Sequence, residues 1–373
     1  MDHARLALLI GAVLVVACGS PTVSPSGQPT ATPTIAPSVA ATPSVAATPS
    51  PLPATPSAAL PSATPSVAVY ELVEYPVTPG SHPHDVAPAP DGGVWYTAQA
   101  TGELGRLDPV TGDVIEIPLG DGSAPHGVVV GPDGMAWVTD QGANSIRRVE
   151  YRGGEVSPLT TTVTTFEMPG GRQVGPHTPA FDNDGLLWFT GQGSGLVGRL
   201  DPASGIIDLF DAPRGAGPYG IDATPAGDVW YVSLAQSYLA HIDTESGEST
   251  VFEPPTPGQG ARRVWSDSQG RLWVSEWNAG QLGMYDPLLD EWREWRLPGP
   301  NPQAYAVFVD EQDQVWVTDF GSNSIVRFDP LTEAFEPFAL SAPDAAVRQL
   351  LGREGEVWGA ESGADKLVVI RRR

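Results

Sequence analysis

Along residues 69–373, apolar and polar residues alternate in short runs broken by Gly, Pro, Asn and Asp. Alternation with a period of two predicts half-buried strands, and no stretch carries an apolar stripe at helical spacing. The runs form a unit. An apolar run such as "HGVVV" meets a "PDG" turn, and an alternating strand then passes through a Trp. A third strand ends in "GRLD" or "VRFD", and after a "DPxTG"-type turn a fourth closes on Pro. The unit recurs with Trp95, Trp137, Trp188, Trp230, Trp273, Trp316 and Trp358, at spacings of 42, 51, 42, 43, 43 and 42.

Four short strands per unit at this period predict an all-β, seven-bladed β-propeller with four-stranded antiparallel blades. The tryptophans are expected to pack between blades. After Trp358 only "KLVVI" (Lys366–Ile370) remains, so the last blade lacks its outer strand. Residues 69–77, "VYELVEYPV", resemble the outer strands "GDVIEIPL" and "TTFEMP" and are expected to supply it, leaving no open edge. The longer spacing in the second unit falls around residues 151–165 and predicts a lengthened outer hairpin.

Composition changes the picture upstream. Between Gly19 and Tyr70 there is no Asp, Glu, Lys or Arg, only a Pro/Ala/Thr/Ser/Val-rich sequence with near-copies of "SVAATPS". Such a stretch has too little apolar surface to offset its ordering entropy, so an extended tether is expected, open to O-glycosylation. Residues 6–17 are an apolar run of 12, too short for a membrane span, and read as the core of a signal peptide. The run ends in Val15-Val16-Ala17-Cys18, which resembles the lipobox of bacterial lipoproteins. That resemblance implies lipidation of Cys18 and an exported, membrane-anchored protein; an ordinary secretory signal is the alternative. The expected organisation is a signal peptide (1–17), a lipidated Cys with its tether (18–68) and a propeller (69–373).

The chain has 44 acidic and 20 basic residues, a net charge of −24, carried wholly by residues 71–373 because Asp2 and Arg5 cancel. That balance excludes unspecific affinity for nucleic acid or anionic lipid, so membrane contact is expected through the anchor only. Cys18 is the single cysteine, which excludes an internal disulfide or a cysteine zinc cage. There is no phosphate-cradling loop and no nucleophile elbow. A monomer is expected.

Seven residues on either side of each first hairpin turn lie His84/Ala98, His126/Asp140, His177/Gly191, Tyr219/Ser233, Arg262/Glu276, Tyr305/Asp319 and Val347/Glu361. In an ordinary hairpin these face one another, and because first strands line the channel, they are expected to ring one of its mouths. The histidines could serve as functional groups or satisfy backbone groups, and Arg262 with Glu276 reads as a cross-strand ion pair. Trp277 and Phe320 directly follow two of the acids and offer an apolar wall for a ligand. Neighbouring carboxylates suit a hard ion such as magnesium.

"APHGVVVGPDGMAWVTD", "GPHTPAFDNDGLLWFTGQGSGLVGRLD" and "GPYGIDATPAGDVWYV" resemble the repeats of the virginiamycin B lyase, or streptogramin lyase, family. The similarity covers essentially all of residues 69–373. It implies a seven-bladed propeller that linearises cyclic depsipeptides by magnesium-dependent elimination. A base would remove a proton α to a carbonyl, a cation would stabilise the enolate, and the ester oxygen would leave. The family's His, His and Tyr in successive blades fall on His126, His177 and Tyr219. Its two acids, two residues before and fourteen after the second His, fall on Gly175 and Gly191. Matched one blade earlier, His84 and His126 align with Asp140, while Ala124 and His177 occupy the remaining positions.

On this reading His126 or His177 is the base, Tyr219 assists, and Asp140 and Glu276 orient groups or hold magnesium. His84, Arg262, Glu276, Trp277 and Tyr305 would contact a small cyclic peptide or lactone. The alternative is a non-catalytic surface propeller that binds a peptide, sugar or protein ligand at the same mouth. A third reading, a sugar-lactonase-like propeller, would need a Glu/Asp/Asn metal cage in the channel.

Overall fold

The computed structural model describes residues 69–157 and 159–373. The expected signal peptide, Cys18 and the tether lie outside the described residues. The described residues form seven four-stranded antiparallel sheets, and the one helical element among them is a single 3-10 turn at Pro169–Gly171. The first strands of blades 1 to 7 are Pro83–Pro88, Pro125–Val130, Pro176–Phe181, Pro218–Ala223, Ala261–Ser266, Ala304–Val309 and Val347–Arg353. Each packs against the first strands of its neighbouring blades, so together they line the central channel.

Closure follows the expected route. Tyr70–Pro76 pairs antiparallel with Lys366–Arg372, from Tyr70 opposite Arg372 to Pro76 opposite Lys366, and completes the seventh sheet. Lys366 Nζ meets Glu74 Oε2 at 2.7 Å across this seam. The outer hairpin of blade 2 is long, with Tyr151 opposite Thr161 at the end of its ladder.

The tryptophans explain why the sheets form a ring. Each of seven apolar clusters joins the Trp of one blade to the inner strands of the next. Trp137, for example, packs with Leu187, Phe189 and Leu196 of blade 3, and Trp358 packs with Val86, Val94 and Tyr96 of blade 1. The indole N–H needs a partner once buried. In five blades it donates to an acid at the first hairpin turn: Asp133, Asp182, Asp267, Asp310 or Glu356, at 2.7–3.1 Å. One residue therefore fills the inter-blade core and ties down the turn.

The register of the first hairpins differs from expectation. Pro125, not His126, stands opposite Asp140, and Ala261, not Arg262, opposite Glu276. The same one-residue shift places Pro83, Pro176, Pro218 and Ala304 opposite Ala98, Gly191, Ser233 and Asp319. Every first strand carries a bulge right after this pair. Counting symmetrically about the turn misses a bulge, because the extra residue sits on one strand only. In blade 7 Val347 does oppose Glu361, and it is Arg348 that takes the place held elsewhere by His, Tyr or Arg262.

Trp188 is fully buried and bonds Asp182 Oδ2 at 2.7 Å. Trp188→Ala is expected to destabilise the protein by about 3–5 kcal/mol in denaturant unfolding. Trp188→Phe, which keeps most of the apolar volume, should cost clearly less; equal losses would contradict this role for the indole.

Candidate functional site

The bulge aims one side chain per blade into the channel mouth, and a repeated hydroxyl holds it there. Two residues after the Trp stands Thr97, Thr139, Thr190, Ser275 or Thr318 in five of the blades. Thr139 Oγ1 accepts from Gly127 N at 2.8 Å, and it donates to the carbonyl of His177 in the next blade. Thr97 does the same with Asp85 N and the His126 carbonyl, Thr190 with Thr178 N and Tyr219, and Ser275 with Arg263 N and Tyr305. Two backbone groups freed by the bulge are thereby satisfied, which a buried segment requires. The Gly of "Pro-His-Gly" serves the same approach. A Cβ on Gly127 would stand 2.4 Å from Pro179 Cδ and 2.7 Å from the His177 carbonyl oxygen.

The resulting ring is His84, His126, His177, Tyr219, Arg262, Tyr305 and Arg348. The three imidazoles pack tilted against one another, with centroids 3.9 Å apart for His84–His126 and 3.7 Å for His126–His177, and Tyr219 meets His177 edge to face at 4.2 Å. The Tyr219 and Tyr305 hydroxyls meet at 2.7 Å. Arg262 donates to Tyr219 Oη at 3.0 Å and lies 3.6 Å over the Tyr305 ring and 4.8 Å over Trp277. Arg348 bonds Ser362 Oγ at 2.9 Å and Tyr305 Oη at 3.4 Å. Trp277 and Phe320 pack edge to face at 5.3 Å beside Tyr305, and both are half-buried. The structure thus brings together His84, His126, His177, Tyr219, Arg262, Trp277 and Tyr305. It adds Arg348, which sequence spacing from Tyr305 would have reached had the bulge been allowed for.

The acids do not join them. Asp140 turns to its own blade, where it accepts from Ser123 Oγ (2.7 Å), the amides of Ala124 (2.9 Å) and Ala143 (3.0 Å), and Arg147 Nε (3.0 Å). All of these bonds are local, so the carboxylate clamps a loop. Glu276 is buried inside blade 5, where its Oε1 occupies the space a Cβ on Gly283 would fill. It makes no ion pair with Arg262, contrary to expectation, because the bulge sends Arg262 into the channel. His82 is exposed at the strand entry and bonds Asp365 and Ser362 of blade 7.

One layer deeper, Arg263 of blade 5 spans the channel to Asp85 Oδ1 of blade 1 (3.0 Å) and Thr178 Oγ1 of blade 3 (2.8 Å). Asp85 also meets His84 Nδ1 at 2.8 Å. Burial, followed by the Arg263, Arg348 and Arg262 charges, holds His84 well below its ordinary value. Burial and the neighbouring His84 do the same to His126, and burial and His126 to His177. Burial pushes Tyr219 up. Tyr305 is also buried, but Arg262 and Arg263 outweigh this and leave it below its ordinary value. All three imidazoles are therefore neutral at pH 7, and the Nδ1 of His126 has no hydrogen-bond partner.

The residues present do not fit magnesium. This ion asks for near-octahedral oxygen donors. The one group of three His, Cys, Asp or Glu ligand atoms clustered among the described residues is His84, Asp85 and His126, with two nitrogens, one oxygen and Arg263 alongside. Asp140 and Glu276, the expected metal ligands, belong to no such cluster. The two positions of the family acids are glycines, and the one at 191 is crowded. A Cβ on Gly191 would stand 2.5 Å from Ser194 Oγ and 2.8 Å from Val174 Cγ1.

Fold and mouth together define a seven-bladed propeller with a histidine- and arginine-lined channel end. The sequence profile of the virginiamycin B lyase family matches residues 66–291 and 160–370, and the chain belongs to that family. A virginiamycin B lyase from Nocardia farcinica is 34% identical over 79 residues, a stretch covering 21% of this chain and little more than a quarter (27%) of that relative. The crystal structure of a virginiamycin B lyase from Staphylococcus aureus superposes with a TM-score of 0.73 at 22% identity, over 81% of this chain and 99% of that one. A streptogramin B lyase structure gives 0.72 at 24% identity, over 82% and 98%. At these identities the likeness is one of fold.

Two buried carboxyls give the site's blades a pH signature. Burial pushes Glu276 and Glu361 from 4.5 up to about 8 and about 7. The folded state holds their protons more tightly than the unfolded state. Their stabilising effect is complete below about pH 4.5 and is lost as the pH rises through 7 and 8. The histidines act oppositely, losing stability as the pH falls below about 6.5. The double variant E276Q/E361Q is expected to match the parent Tm near pH 4.5 and exceed it increasingly up to pH 8.5. A constant difference across that range would show that neither carboxyl is held protonated.

Proposed function

We propose that this chain is an exported, membrane-anchored binding member of its family, which holds a cyclic depsipeptide, lactone or similar carbonyl-rich ligand at the histidine mouth without metal-assisted elimination. The observation that carries this reading is the pairing of the two mouth arginines. In a chain of net charge −24, Arg262 and Arg348 bond to hydroxyls rather than carboxylates and are half-buried against aromatic rings. Such guanidinium groups offer N–H donors to ester and amide carbonyls, and Trp277 and Phe320 offer flat apolar contact. The positions from which family acids would assist elimination are glycines.

One observation favours a second reading, in which the chain is a lyase. The imidazole of His126, neutral at pH 7 and set between His84 and His177, is a group able to accept a proton from a substrate carbon. Incubating the full chain with a type B streptogramin, with and without magnesium, separates the two. Saturable binding with unchanged ligand mass, weakened at least tenfold by Arg262→Ala, is the expected result. A linear product bearing a new double bond, absent with His126→Gln, would overturn the binding reading.

Export and anchoring rest on the apolar run at residues 6–17 and on Cys18. Expressed in a bacterium fed a labelled fatty acid, the chain should incorporate label and fractionate with membranes, and Cys18→Ser should abolish both. Unlabelled, freely secreted parent protein would point instead to an ordinary secretory signal.

A further inference from the structure

In a chain with more than twice as many acids as bases, a cation without an acid partner is conspicuous. Every Lys and Arg among the described residues has a carboxylate partner except Arg262, Arg296 and Arg348. All three lie at the mouth end of the propeller. Arg262 and Arg348 belong to the ring itself. Arg296 ends the outer strand of blade 5, Glu291–Arg296, opposite Gln281, which in turn stands opposite Glu276.

Aromatic surface connects them. An open groove of about 710 Å³ runs between blades 5 and 6 at this end, within the size range of ligand sites. Trp277 and Phe320, which flank Tyr305, are also walls of the groove, together with Arg296, Asn278, Asn301 and Gln303. Arg262 lies 4.8 Å over Trp277, and Arg348 lies 6.0 Å over Phe320. Arg296 is fixed by bonds to the carbonyls of Ala279 (3.1 Å) and Pro300 (3.3 Å).

These charges are left for a ligand to answer. Among the described residues, none lining the groove is acidic. Asp319, next to Phe320, is buried, and its oxygens accept from the amides of Gln303 (2.7 Å) and Gly321 (2.9 Å) and from Ser322 Oγ (2.6 Å). Glu276 is buried in its blade, and burial pushes it up to about 8. A guanidinium partly withdrawn from water gains most from an anion, and its planar fork matches a carboxylate. Asn and Gln side chains both donate and accept, as peptide groups require.

We infer that the mouth and this groove are one extended site for an acidic peptide. Its carboxylates pair with the mouth arginines and with Arg296, its backbone meets Asn278, Asn301 and Gln303, and an apolar side chain lies on Trp277 and Phe320. The inference deepens the proposed function and rests on its reading of the mouth as a ligand site; it adds that the carbonyl-bearing ligand is anionic.

Two blocked peptides, N-acetyl-Glu-Phe-Gly-Glu-amide and N-acetyl-Gln-Phe-Gly-Gln-amide, differ in charge and hardly in shape, and calorimetry reads their affinity for the full chain. The acidic peptide is expected to bind about tenfold more tightly at low salt, an advantage that shrinks as ionic strength rises from about 0.02 to about 0.5 M. Arg296→Gln, at an exposed position, should weaken the acidic peptide about fivefold and leave the neutral one unchanged. Arg152→Gln, which removes an equal charge from the outer hairpin of blade 2, should change neither. Equal losses in the two variants would reduce the effect to net charge and overturn the inference. If a streptogramin binds while the two peptides bind alike or not at all, the inference fails and the proposed function stands. Acid-selective binding that depends on Arg296, without streptogramin binding, would uphold the anionic site and discard the depsipeptide.

Discussion

A four-stranded blade has two faces and cannot bury either by itself, and this constraint organises the molecule. Each blade lays its tryptophan against the inner strands of the next, so every apolar face is covered by a neighbour. The arrangement is satisfied throughout only when the last blade meets the first. Closure through Tyr70–Pro76 follows from that need: without it the strand Lys366–Arg372 would present a bare edge. In five blades the buried indole also recruits an acid of the first turn, which fixes the turn end of those blades. The opposite end is left to a different device.

That device is the bulge with its hydroxyl. It frees a backbone N–H in one blade, and the same Thr or Ser side chain reaches a carbonyl in the next. His126, His177, Tyr219 and Tyr305 are thus each positioned by the blade before, and successive imidazoles are drawn within 3.9 Å of each other, centroid to centroid. Seven side chains converging on one axis leave little room for water, so the histidines are neutral and the arginines lean on aromatic rings. The mouth has hydrogen-bond donors and flat apolar surface but lacks the oxygen cage that a hard cation needs. The acids at the same repeat position went elsewhere. Asp140 and Asp319 clamp loops through backbone and hydroxyl donors, and Glu276 and Glu361 lie protonated within their blades at neutral pH or below.

Most of the fold was legible in the sequence because propeller folding is periodic. The Trp spacing sets the number of blades, alternation sets four strands, and the incomplete last unit points to the strand that closes it. The members of the ring were nearly legible too. His84, His126, His177, Tyr219, Arg262 and Tyr305 were all placed at one mouth, because an identical repeat position implies an identical place around an axis. Arg348 was missed for want of one residue, since the shorter turn between Arg353 and Glu356 hid its equivalence. The signal for the bulge was present as a Thr or Ser two residues after the Trp, though nothing local marks it as more than a strand residue.

What the sequence by itself determined is therefore the architecture and which side chains share a repeat position, because both depend on period and on burial. Which way those side chains point was decided only by the tertiary structure. A one-residue bulge, stabilised by a hydroxyl whose acceptor lies 38 residues on in the case of Thr139 and His177, turns Arg262 away from Glu276 and His126 away from Asp140. Direction at a channel mouth is set by hydrogen bonds between blades, and no pattern within one blade encodes them.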